Sequence, residues 1–200
     1  MSTQSTQDLR FSLNIPNAIT FVRILLAIPI ALLLIRKDEG SIMLAGVLLI
    51  VAALTDWLDG FLARRLGQAT LVGSLLDIIA DEILFMPSLL LAVTAGLFSR
   101  TAALMPLNPY PYVVPALAGG VTVLTGVAIY LWKRRSRAFE FPTPTGVAKV
   151  NYWFWLAPLI VAIFGIGPDI VLAVLMYLAI ISTVLTFYSY LKKGSYVFTD

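Results

Sequence analysis

An all-α polytopic membrane protein, with six transmembrane helices and both termini cytoplasmic, is the fold that this 200-residue sequence predicts. Three observations carry that expectation. Apolar residues make up 60% of the chain and charged residues 12%, against roughly 45–50% and about 25% in soluble domains. The mean hydropathy is +0.92, and a chain this short has too little interior to hide so much apolar surface from water. The apolar residues also gather into six runs near the ~20 residues that one helical crossing of a bilayer requires.

The first run, 18–35, follows a juxtamembrane segment, 1–17, and has no small-residue cleavage site behind it, so it reads as a retained span. The second covers 42–63 and turns acidic only towards its end. The third, 71–97, contains Pro87, which predicts a kink. A longer loop, 98–112, leads to the fourth span, 113–132, where Gly119, Gly120 and Gly126 mark close helix packing within the chain or in a homodimer. Spans five and six, 150–167 and 170–191, are joined by the turn sequence Gly165-Ile166-Gly167-Pro168-Asp169. Trp132, Trp153 and Trp155 read as anchors at the membrane interface. The chain reads as one integral-membrane domain, 1–200.

Orientation follows from Lys and Arg, which collect in cytoplasmic loops. One side holds Arg10, Arg64, Arg65, Lys133, Arg134, Arg135, Arg137, Lys149, Lys192 and Lys193; the other holds Arg36, Lys37 and Arg100. With six spans both termini fall on the basic side. Arg23, just inside the first span, is near enough to that surface to snorkel out to it. The net charge of +3 thus reports topology and not a nucleic-acid partner. The expected location is the cell (inner) membrane.

The chain has no Cys and no His. That excludes thiolate nucleophiles, Cys–zinc and iron–sulfur sites, Ser-His-Asp triads and imidazole metal ligands. Carboxylates, hydroxyls, amines and oxygen-bound metals remain.

Five of the eleven acidic residues lie between positions 56 and 82. An Asp at the centre of a span costs about 2.5–3.5 kcal/mol on insertion scales, so such a cluster requires compensation. Asp56, Asp59, Gly60, Ala63 and Arg64 share one face of a helix, and Gly73, Asp77 and Asp81 share one face of the next. A short connection predicts that the two helices pack antiparallel, with Asp56 level with Asp81 and Asp59 with Asp77. Four converging carboxylates cannot all ionise without a cation, and oxygen-only ligands suit Mg²⁺ or Mn²⁺. Two such ions balance four aspartates, an arrangement suited to phosphoryl transfer. Gly60 lets a nucleotide approach the backbone, and Arg64 can meet a phosphate bidentately.

The run Asp56-x-x-Asp59-Gly60-x-x-Ala63-Arg64, eight residues, Gly73-x-x-x-Asp77-x-x-x-Asp81 resembles the signature of the CDP-alcohol phosphotransferases, membrane enzymes that join a CDP-activated lipid or alcohol to an acceptor hydroxyl and release CMP. Asn14-Ile15-Pro16-Asn17-Ala18-Ile19-Thr20-x-x-Arg23 is similar to the start of the phosphatidylglycerophosphate synthases within that family. The resemblance implies two divalent cations held by Asp56, Asp59, Asp77 and Asp81, with Asp81 also the base. It implies that Asn17, Thr20, Gly60, Arg64 and Thr70 contact the CDP-lipid, and that the site lies near the cytoplasmic face. CDP-diacylglycerol is then the donor and glycerol 3-phosphate the leading acceptor, with Arg137 and Lys149 as candidates for its phosphate. One departure stands out: glycerophosphate-type members commonly carry Lys after the last motif Asp and Pro after the third, where this chain has Glu82 and Ile78. Phosphatidylglycerol or a polyol phosphate are alternative acceptors. From a different class, a divalent-cation transporter would also need buried acids, but has no use for Gly60-x-x-Ala63-Arg64.

Overall fold

The computed structural model describes residues 15–65, 71–106 and 146–194, with the short helical pieces 113–114, 117–118 and 120–121. Five long helices account for most of them: α1 (Ile15–Arg36), α2 (Glu39–Arg65), α3 (Leu71–Thr94), α4 (Gly146–Phe164) and α5 (Asp169–Gly194). A single 3₁₀ turn, Ser99–Thr101, follows α3. No strand occurs among the described residues. These helices overlap five of the six expected apolar runs, with ends that differ by up to four residues, and the fourth expected span, 113–132, lies mostly outside the described residues. α1, α2 and α5 each hold a stretch long and apolar enough to cross a membrane, and α4 holds a shorter apolar stretch. α3 is comparable in length but carries Asp77, Asp81 and Glu82. The protein is a helical membrane protein.

α1 is the central element of the first three. It packs along both α2 and α3, whereas α2 and α3 meet only marginally among the described residues. This corrects the expected direct pairing of the two signature helices. The reason is reach: five residues can span up to about 17 Å, and packed helices are only 8–10 Å apart. A short link therefore does not oblige its two helices to be neighbours. α4 then packs on α2, α3 and α5.

The inward stripes are readable in the structure at helical spacing. On α1 they run Thr20, Arg23, Ala27, Ile30, Leu34; on α2, Ala45, Leu49, Ala52. The opposite face of α1 exposes Phe21, Leu25, Ile28, Leu32 and Ile35, which suits acyl chains and not water. Small residues let these backbones approach closely. Gly46 is the tightest such point among the inward positions of α2, since a Cβ there would come within 2.5 Å of Ile163 Cγ2 and 2.7 Å of Phe164 Cε2 on α4. Gly120 is similarly close to Met86 and Glu82 of α3, so its small size serves packing within the chain. Gly119 and Gly126 lie outside the described residues.

Helix ends are closed by specific polar groups. The Asp38 carboxylate accepts the Ser41 backbone N–H at 2.9 Å, capping α2. Bonds from the Ser41 hydroxyl and N–H hold this carboxyl below its ordinary range, so the cap acts above that range and is lost as pH falls through the lowered value. Lys37, at φ 59°, donates its Nζ to the Thr94 carbonyl at the end of α3 at 3.0 Å. Arg100 donates to the Gly167 carbonyl at 3.2 Å and the Ile166 carbonyl at 3.1 Å, and lies 3.8 Å from Asp169. Two of the three basic residues on the sparsely charged side are thus used to hold carbonyls. The turn at Gly165 and Gly167 is as expected, with φ of 62° and 70°, values open to glycine at no steric cost.

Trp155 departs from its expected role. It is 2% exposed, and its indole N–H donates to Thr183 Oγ1 on α5 at 2.8 Å. It is a core residue and not an interface anchor. The Thr183 hydroxyl in turn lies 3.1 Å from Asn151 Oδ1 and 3.0 Å from the Ala179 carbonyl, either of which takes its proton. Trp153 is exposed, as an anchor would be, and Trp132 lies outside the described residues. Thr183→Val keeps the shape and removes the acceptor. It should lower stability in detergent by about 1 kcal/mol, read as a lower midpoint of thermal unfolding, and Thr183→Ser should restore it. An unchanged midpoint in the valine variant would show that the tie contributes nothing.

Candidate active site

The site begins with the inward stripe of α1. Two turns below Ile30 that stripe reaches Arg23, whose side chain is 0% exposed. This corrects the expectation that Arg23 snorkels to the surface. Its place is fixed by the packing of α1 between α2 and α3, which turns position 23 inward. One nitrogen, Nη1, lies 2.9 Å from Asp56 Oδ1 of α2, and 2.9 Å and 2.8 Å from Asp77 Oδ1 and Asp81 Oδ1 of α3. Asp77 and Asp81, one turn apart, present to the same side as expected; Asp56 continues the Ala45–Leu49–Ala52 stripe of α2.

The three carboxylates can offer oxygens lying within 4.8 Å of one another. Two like charges about 4 Å apart repel by roughly 4 kcal/mol at an effective dielectric of 20, so this grouping needs positive charge. Arg23 supplies one. Three ionised aspartates and one guanidinium leave two negative charges, the complement of one divalent cation. The donor set is all carboxylate oxygen, with no His or Cys anywhere in the chain, and thus suits a hard ion of the Mg²⁺ or Mn²⁺ kind. The residues fit such a group.

Around the cluster, Thr20 is 4% exposed on α1, one turn before Arg23. Asp59, Gly60 and Arg64 belong to the last turns of α2 and Asn17 to the first turn of α1, but their side chains fall outside the described residues. So do Thr70, Arg137 and the side chain of Lys149. The structure therefore brings together Asp56, Asp77 and Asp81, buries Thr20 one turn before Arg23 on α1, and adds two residues that sequence reasoning missed. The first is Arg23 in its role at the cluster. The second is Tyr152 on α4, whose ring meets Phe85 of α3 edge-on at 5.8 Å and whose buried hydroxyl has no partner among the described residues. Phe85 lies one turn beyond Asp81. A signal for Arg23 was available: it is the one charge within the first span, on the same stripe as Thr20. No comparable signal marks Tyr152, one aromatic in a run of four.

Apolar helices that bring three aspartates together define a class: a helical membrane protein with an acidic cluster able to hold a metal ion. The chain belongs to the CDP-alcohol phosphatidyltransferase family, whose model matches residues 13–187, and that family uses divalent metal. Its relatives include proteins named CDP-diacylglycerol–glycerol-3-phosphate 3-phosphatidyltransferase. One from Pseudomonas fluorescens is 49% identical over 82 residues, covering 40% of this chain and 42% of the relative. One from Wigglesworthia glossinidia brevipalpis is 37% identical over 81 residues, covering 40% and 44%. One from Escherichia coli K12 is 42% identical over 71 residues, covering 36% and 39%. The matches thus span about two-fifths of each of these relatives.

Proposed function

We propose that this protein transfers a phosphatidyl group from CDP-diacylglycerol to glycerol 3-phosphate, releasing CMP, at a site near the cytoplasmic face of the inner membrane. The observation that carries the reading is the convergence of Asp56, Asp77 and Asp81 within 4.8 Å in a chain of this family, and the names of the relatives favour this donor and acceptor. Asp56, Asp59, Asp77 and Asp81 would hold two divalent cations, Mg²⁺ or Mn²⁺. When bound, these supply charge stabilisation to the diphosphate and to the departing CMP.

The chain's own residues do the rest. Arg64 and Gly60, with Asn17, Thr20 and Thr70, hold the CDP moiety. The acceptor oxygen attacks the lipid-side phosphorus, the bond from that phosphorus to CMP breaks, and the acceptor proton passes to the Asp81 carboxylate. The buried Tyr152 hydroxyl and a buried Glu82 oxygen have no partner among the described residues, and that Glu82 oxygen lies close to Gly120. Glu82 also favours testing an acceptor with an uncharged glycerol end, such as that of phosphatidylglycerol.

Purified protein given CDP-diacylglycerol, Mg²⁺ and a panel of labelled alcohols should release CMP with glycerol 3-phosphate and not with most others. Release only with phosphatidylglycerol would replace the acceptor; cation flux without CMP release would sink the reaction class. Lys149→Glu should raise the KM for glycerol 3-phosphate by at least about ten-fold while leaving that for CDP-diacylglycerol near wild type. Equal effects on both would confine Lys149 to a role in topology.

A further inference from the structure

We propose that Arg23 and the divalent cation are alternative occupants of the aspartate cluster, so that loading the metal expels the guanidinium from its three carboxylates. The inference rests on the proposed function, in which these aspartates hold divalent ions. Its basis is positional. Nη1 of Arg23 lies 2.8–2.9 Å from one oxygen of each of Asp56, Asp77 and Asp81. Mg²⁺ binds oxygen at 2.0–2.1 Å, so an ion bonded to the same three atoms comes within about 4 Å of that nitrogen, where two cations repel. A guanidinium cannot join the coordination shell, because it stays protonated and has no acceptor to offer. Cation and arginine therefore compete for the same oxygens.

Burial decides where the displaced group goes. Arg23 is 0% exposed on the inward stripe of α1, with Thr20 one turn before it and Ala27 one turn after it buried as well. The expelled guanidinium therefore stays inside the protein, next to the bound ion, and a buried cation needs an anionic partner. The phosphates of a CDP-activated substrate are the chemical class that supplies one. Arg23 is thus a positioning residue that holds the aspartates together and then turns its charge to the substrate as the metal enters.

The test uses the full chain in detergent, stripped with EDTA, with Mn²⁺ alone as the probe and free Mn²⁺ read by electron paramagnetic resonance. Arg23→Gln removes the competitor and should bind Mn²⁺ roughly ten-fold more tightly than wild type, within the usual range for coupled sites. The same variant should unfold at a lower temperature than wild type after stripping, and at a similar temperature with Mn²⁺ saturating. Arg23→Lys keeps a cation there and should stay near wild type in affinity. Unchanged or weaker Mn²⁺ binding in Arg23→Gln would overturn the proposal, as would an equal gain in Arg23→Lys, which would trace the effect to packing. Failure to recover Arg23→Gln even with Mn²⁺ present throughout would also overturn it, because the guanidinium would then be needed beside the ion. Turnover is not part of this readout. A chain that shows the exchange but transfers no phosphatidyl group loses only the proposed function; an active chain with unchanged Mn²⁺ affinity in Arg23→Gln loses only this inference.

Discussion

Asp81→Asn should leave the protein folded and lower kcat for CMP release by roughly 10³-fold or more. Asn has the shape of Asp, and its carbonyl oxygen can still accept the Arg23 bond that Asp81 Oδ1 accepts at 2.8 Å. The tie between α1 and α3 is therefore retained. What is lost is a group able to take a proton and one of the negative charges at the centre. Asp77→Asn separates these two effects. It removes the same charge from the other aspartate of α3, 2.9 Å from the same nitrogen, without removing the proposed base. Raised Mn²⁺ should restore much of the activity of Asp77→Asn and little of that of Asp81→Asn. An Asp81→Asn variant retaining a tenth of wild-type turnover would take the role of base away from this residue.

Gly46→Leu should destabilise the fold by about 2 kcal/mol or more. At this position two effects oppose each other. A residue other than Gly in a helix interior gains about 1 kcal/mol in backbone terms, while overfilling a close contact costs typically 1–3 kcal/mol. For Ala the Cβ meets Ile163 Cγ2 at 2.5 Å and the Phe164 ring at 2.7–2.8 Å, so gain and cost nearly cancel if the ring can shift. For Leu three further carbons have to enter the same gap, and the cost prevails. Thermal unfolding in detergent should show a large drop for Leu and a small change for Ala. Phe164→Ala, combined with Gly46→Leu, should recover part of the loss, because it empties the space that the new side chain needs. A wild-type unfolding temperature in the single Leu variant would mean that α2 and α4 are not in contact here.

Helix positions are legible in the sequence because each crossing needs its own run of apolar residues. The runs expected for α1, α2, α4 and α5 overlap those helices, with ends that differ by up to four residues. Which face of each helix turns inward is legible only where a polar residue marks it. In α1 the lipid-facing Phe21, Leu25 and Ile28 are as apolar as the core-facing Ile30 and Leu34, since acyl chains and protein interior reward the same side chains. Patterns that serve for water-soluble helices have nothing to separate there. Asp77 and Asp81 fall on one face as expected because four residues are close to one helical turn. The expected partner helix is wrong, because adjacency in sequence does not guarantee adjacency in space, and α1 stands between α2 and α3. The expectation for Trp155 fails for a related reason: Trp suits the interface and a hydrogen-bonded core alike, and only the position of Thr183 distinguishes them.

The amino-acid sequence by itself determined that this chain lives in a membrane, that its chemistry has to run on carboxylates and oxygen-bound ions, and that Asp77 and Asp81 point the same way. These are consequences of composition and of helical spacing, which are local. Only the tertiary structure decided that α1 lies between α2 and α3 and carries Arg23 into contact with three aspartates from two other helices. That arrangement depends on how apolar surfaces of nearly equal character fit against one another, and shape complementarity of that kind is not written in the hydropathy of any single segment.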